Sequence, residues 1–100
     1  LAFRVELANR AERDLRRIYR DIDASSSAAA RSWFDRLEAT ILGLDERPAR
    51  GSPTPEDAAL RQLLHGRRPN VYRVIYIVDD VRKVVTVLHI RHGRRDAIRV

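Results

Sequence analysis

Hydrophobic positions along this chain change period twice. Residues 3–7 alternate, with Phe3, Val5 and Leu7 on one side of a short predicted strand. Asn9 and Glu12 follow with capping-box spacing. From there Ala11, Leu15, Ile18 and Ile22 form one stripe of an amphipathic helix whose other side carries Arg13, Arg16, Arg17 and Arg20. Ser25–Ser27 interrupt that helix and can cap a second one. The second carries Trp33, Phe34, Leu37, Ile41 and Leu44 on a wide apolar face, and Pro48 stops it. Residues 49–57 read as loop from their Gly, Ser and Pro content. Period two then returns in three runs, Leu60–His65, Val71–Val78 and Val84–Arg91, joined by short connections that make neighbouring strands antiparallel.

The predicted order is therefore β-α-α-β-β-β. That is an α+β fold, with two N-terminal helices packed on one face of a small, mostly antiparallel sheet. At 100 residues the chain is expected to form a single domain spanning 1–100.

Composition narrows the chemistry. Cysteine is absent, which excludes disulfides, thiolate metal sites and thiol nucleophiles. No apolar run approaches the ~18 residues of a membrane span, and no secretory leader is visible, so a cytoplasmic protein without a membrane partner is expected. The three histidines do not combine with carboxylates at metal-ligand spacing, and phosphate-loop and dinucleotide motifs are missing; neither metal nor cofactor is expected. Twenty Lys+Arg against fourteen Asp+Glu leave a net charge of +6, and every basic residue but Lys83 is arginine. Guanidinium is permanently charged and suited to bidentate contacts with phosphate or carboxylate, so an anionic partner is expected.

Strand parity predicts where these charges meet. Placing Val78 opposite Val84 turns Tyr72, Val74, Tyr76 and Val78 toward the helices together with Val84, Thr86, Leu88 and Ile90. The same register puts Arg73 opposite His89 on the other face, with Arg91 one step diagonal. Extending the parity to the preceding strand adds Arg61 and His65. His92, Arg94 and Arg95 come just past the last strand. Such a cluster repels itself unless an anion sits within it, which suggests a phosphate-binding face.

The run Val71-Tyr72-Arg73-Val74-Ile75-Tyr76, the Asp79-Asp80 turn and the ending His89-Ile90-Arg91-His92-Gly93-Arg94-Arg95-Asp96 resemble the RelE/ParE toxins of type II toxin–antitoxin systems. So do the opening Phe-Arg-Val-Glu-Leu followed by Ala11-Glu12-Arg13-Asp14-Leu15, and the exit from the second helix. The resemblance covers residues 3–96. It implies a microbial-RNase-like fold, a cognate antitoxin and one of two mechanisms. One branch cleaves mRNA in the ribosomal A site without a metal, using a base, an acid and cations around the reacting phosphate. On that expectation Arg73 and Arg95 stabilise the phosphorane, His89 or His92 exchanges protons, and Arg61, Arg91 and Arg94 bind RNA. Glu56 or Asp57 could serve as base if their loop folded back. The chain lacks the C-terminal tyrosine of many active members, having none after Tyr76. The other branch inhibits DNA gyrase without catalysis. Ribosome-dependent mRNA cleavage through the basic sheet face is the leading expectation, gyrase inhibition the alternative, and a non-toxic nucleic-acid-binding or interaction domain a further one.

Overall fold

A computed structural model of the chain describes residues 2–93. Strand β1 (Arg4–Leu7) turns Val5 and Leu7 toward the core and leaves Arg4 and Glu6 in solvent. Helix α1 (Asn9–Asp21) starts directly behind it, and its N-cap is Ala8 rather than the expected Asn9. The Ala8 N–H donates to Val87 O at 2.9 Å, so the last bond of the strand places the boundary one residue early. Asn9 is then already helical and has no cap to make.

Helix α2 (Ala28–Leu42) begins at Ser27, whose hydroxyl accepts the Ala30 N–H at 3.2 Å, as the serine run predicts. It ends well before Pro48; a 3₁₀ turn, Gly43–Asp45, carries Leu44 into full burial. The predicted loop contains a two-residue strand, β2 (Ser52–Pro53), paired with Gln62 and Arg61. Proline is tolerated there because β2 is an edge.

Strands β3 (Arg61–His65), β4 (Tyr72–Asp79) and β5 (Val84–His92) complete a five-stranded sheet in the order β1-β5-β4-β3-β2. Only the β1–β5 pair is parallel. The architecture is the predicted one with an added edge strand.

Both helices cover one face. Ala11 and Ile18 of α1 and Phe34, Leu37 and Ile41 of α2 close over Leu63, Tyr72, Val74, Tyr76, Val85, Val87 and Ile90. Asp14 is buried among these apolar groups. Its carboxylate accepts the Ile90 N–H at 3.0 Å, a strand donor beyond the last β1–β5 pair, Leu7 with Val87.

The registers correct the predicted faces. Val78 lies opposite Val85, and Asp79 closes the hairpin opposite Val84. The cause is local: the Asp79 carboxylate accepts the N–H groups of Val81 and Arg82 at 3.1 and 2.9 Å and organises the turn one residue later than expected. A bulge then sets Ile75 opposite His89 but Tyr76 opposite Val87, leaving Leu88 as the extra residue. Val85 and Val87 therefore take the places under the helices that were expected for Val84, Thr86 and Leu88. In the other hairpin, Arg61, Leu63 and His65 pair with Tyr76, Val74 and Tyr72. They lie on the helix-covered side, opposite to the expected one, and Gln62 and Leu64 share the face of Arg73. Adjacent Leu63 and Leu64 make the alternation ambiguous; the core takes Leu63 and leaves Leu64 61% exposed.

Candidate functional site

On the open face the Arg73 side chain is only 14% exposed. Its Nε donates to Gln62 Oε1 at 2.8 Å, while Nη1 and Nη2 donate to the two carboxylate oxygens of Glu56 at 2.9 and 2.7 Å. This fork-to-fork ion pair joins residues 17 apart in sequence.

The loop that delivers Glu56 is itself held together. Thr54 N–H donates to Leu60 O at 2.9 Å, and the Thr54 hydroxyl donates to Asp57 O at 2.7 Å while accepting the Asp57 N–H at 3.0 Å. The Asp57 carboxylate accepts the Ala59 N–H at 2.9 Å. At the stem, the buried Tyr76 hydroxyl donates to Pro48 O and accepts the Gly51 N–H, both at 2.8 Å. Burial raises the Tyr76 pKa, so the phenol stays protonated and keeps both bonds. A Cβ on Gly51 would stand 2.5 Å from Gln62 O, so only glycine fits this close approach. Arg61 does not face Arg73; its Nη1 donates to Gly51 O at 2.6 Å and closes the stem from the other side of the sheet.

The loop thus folds back onto Arg73, but as a partner for its charge. Hydrogen bonding to Arg73 holds the Glu56 carboxyl below its ordinary pKa against the opposing effect of burial. That makes it a weak proton acceptor. Asp57 is occupied as the cap of the turn.

The other predicted groups divide between the two faces. Arg91 lies directly opposite Arg73, and His89 opposite Ile75, so these three share the open face as the sequence suggests, with Arg91 rather than His89 facing Arg73. Burial, then the nearby Arg10 charge, lowers the His89 pKa against the pull of Asp14, which favours the neutral imidazole. His89 Nδ1 and Arg91 Nε are buried without a hydrogen-bond partner among the described residues.

His92 is a correction. It ends β5 on the helix-covered side, 3% exposed, with its ring 5.1 Å from that of Tyr72 and Nε2 3.3 Å from Asn70 Oδ1. Strand β5 runs on through His92 rather than ending before it, so the alternation that turns Ile90 under the helices turns this ring inward as well. His65 is a second correction, its ring 4.9 Å from the indole of Trp33 on the covered side. Arg94 and Arg95 lie outside the described residues.

No three His, Asp or Glu side chains among the described residues gather as a metal site would require. No helix among those residues is long and apolar enough to cross a membrane. Sequence reading reached Arg73, Arg91 and His89 by parity but gave no sign of Gln62, and considered Glu56 only as a base.

A family model described as the ParE toxin of type II toxin–antitoxin systems, parDE, matches residues 5–97. No curated protein sequence matches the chain. Among solved structures, the chain is similar to one in the toxin–antitoxin complex RelBE2 from Mycobacterium tuberculosis, at 25% identity and TM-score 0.63, with 92% of each chain covered. It is also similar to a chain of the chromosomal ParDE system of P. aeruginosa, at 19% identity and TM-score 0.71, covering 91% of this chain and 96% of that one. A free, doubly substituted E. coli toxin RelE aligns at 18% identity and TM-score 0.65, covering 94% of this chain and 86% of that one.

Proposed function

We propose that this chain, which belongs to the ParE toxin family of type II toxin–antitoxin systems, arrests growth by binding DNA gyrase rather than by cleaving RNA. A cognate antitoxin restrains it, as the toxin–antitoxin complexes among its structural relatives support. The observation that carries the reading is the bidentate pairing of Arg73 with Glu56. Metal-free RNA cleavage needs a cation turned to the phosphate and groups that accept and donate protons beside it. Here the central guanidinium already holds a carboxylate, that carboxylate is a weakened base, and His89 and His92 stand on opposite faces. A protein-binding surface needs none of these groups free.

Ribosome-dependent mRNA cleavage is the second reading, favoured by the direct cross-strand placement of Arg73 and Arg91. It requires a phosphate to displace Glu56. Two reactions separate the readings: supercoiling by purified gyrase, and translation of a defined message with its RNA ends mapped. The proposal expects supercoiling to stop and the message to stay intact. Cuts that appear only with ribosomes, or unimpaired supercoiling in the presence of folded protein, would overturn it.

A further inference from the structure

A second gathering of cations lies at the end of the β3–β4 hairpin, on the helix-covered side of the sheet. A cavity of about 590 Å³ there is lined by Trp33, Arg36, His65, Gly66, Arg67 and Asn70. A neighbouring hollow of about 420 Å³ shares Trp33 and Asn70 with it and is walled by Ile22, Ala30 and Tyr72, with Asp21 in its lining. These volumes fall within the range of small-molecule sites, ~300–1,000 Å³.

The hairpin turn shapes the first hollow. Gly66 takes φ 103°, and a Cβ there would collide with Asn70 O, so the chain doubles back tightly beneath Trp33. The Asn70 N–H closes the turn on Arg67 O at 2.7 Å. Across the cavity, Arg36 is steadied by a 2.9 Å bond from Nη1 to Ser32 Oγ. Among the described residues neither Arg36 nor Arg67 makes a salt bridge, unlike Arg73. Burial lowers the His65 pKa against a hydrogen bond to the Trp33 backbone, and the Arg36 charge acts in the same direction as burial; a protonated imidazole would add to the local positive charge.

We infer that the paired hollows around Trp33 bind a nucleotide, free or as one unit of a single strand, with its phosphate between Arg36 and Arg67 and its base in the aromatic-walled hollow. The two halves call for different chemistry in one ligand. Guanidinium groups without a salt bridge select an oxyanion, and the part-exposed indole of Trp33, with Ile22 and Ala30 beside it, offers apolar and π surface to a planar ring, Tyr72 forming the buried floor behind it. The Asp21 carboxylate can only accept hydrogen bonds, so it favours a base with an exocyclic amine and disfavours a second anion in that hollow. An acidic peptide would meet the first requirement and fail the last. The site is separate from the Arg73 face and holds under either toxic mechanism.

Trp33 is the sole tryptophan of the chain, so its emission reports this site alone. Full-length protein is titrated with AMP, UMP, a short oligoadenylate, inorganic phosphate and hexaglutamate, with excitation at the red edge of the indole band. Saturable quenching by AMP or the oligoadenylate is expected, stronger for AMP than for UMP. Tighter binding of the oligomer would identify a strand as the ligand, and equal binding per nucleotide a free nucleotide. Affinity for AMP should fall about tenfold in the Arg36→Gln/Arg67→Gln variant, with circular dichroism checking that the variant folds. In Asp21→Asn the preference over UMP should shrink. Absence of quenching by nucleotides at millimolar concentration, equal affinity in the double variant, or stronger binding of hexaglutamate would each overturn the assignment.

Discussion

Two of the places where arginine gathers on this molecule are balanced differently. At Arg73 the charge is met from within, by Glu56 at 2.7 and 2.9 Å and by Gln62 at 2.8 Å. Around Trp33, Arg36 and Arg67 line a cavity with no salt bridge among the described residues. The residues beside Arg36, Arg67 and Arg73 in the sequence do not show which of the three has an internal partner. What separates the two places is a carboxylate reaching one and not the other. A cluster of like charge advertises an external anion only after its internal anions have been found.

The contrast is broken most severely at the stem of the Glu56 loop. Tyr76→Phe removes a buried hydroxyl that joins Pro48 O and Gly51 N–H and leaves the latter without its partner. A loss of about 1–3 kcal/mol is expected in urea unfolding, with the loop released from the sheet. If stability is unchanged, the stem is not what holds Glu56 in place.

Acid should weaken the fold in two windows. His65 and His89 have pKa values lowered mainly by burial, so the unfolded chain takes up protons first. Their contribution is whole above the ordinary histidine value of 6.5 and is lost as pH falls through the lower folded values. Glu56, also lowered, contributes above its ordinary value of 4.5 and is lost only at more acid pH. Thermal midpoints measured against pH check both. The His65→Gln/His89→Gln variant should lose the upper step and keep the lower one.

Glu56→Gln tests the pairing directly. It should flatten the acid window and leave Arg73 able to take an external anion. Phosphate should therefore raise the thermal midpoint of this variant more than that of the parent protein. Equal stabilisation of both would mean that Glu56 does not screen Arg73.

The smallest effect is expected at Arg67→Ala. With no salt bridge among the described residues, its removal should change stability by less than about 0.5 kcal/mol in urea. A larger loss would reveal a structural role and blur the distinction between the two regions.

Much of the fold follows from local patterns. Alternation in residues 3–7, the 3.6-residue stripe of α1, the Ser27 cap and the inward set Tyr72, Val74, Tyr76 and Val78 depend on neighbours a few positions away. They were legible for that reason. The placing of Arg73, Arg91 and His89 on a common face was legible too, since strand parity carried it.

The sequence by itself determined the order of elements, the apolar faces and the surplus of arginine, because periodicity and composition act through short-range geometry. Tertiary structure decided the registers, and with them which cations meet. Strand pairing has period two, so a turn organised by Asp79, a bulge at Leu88 and a choice between Leu63 and Leu64 each move side chains between faces. It also decided that Arg73 is paired, since the partner arrives on a loop whose position depends on the Tyr76 hydroxyl across the sheet.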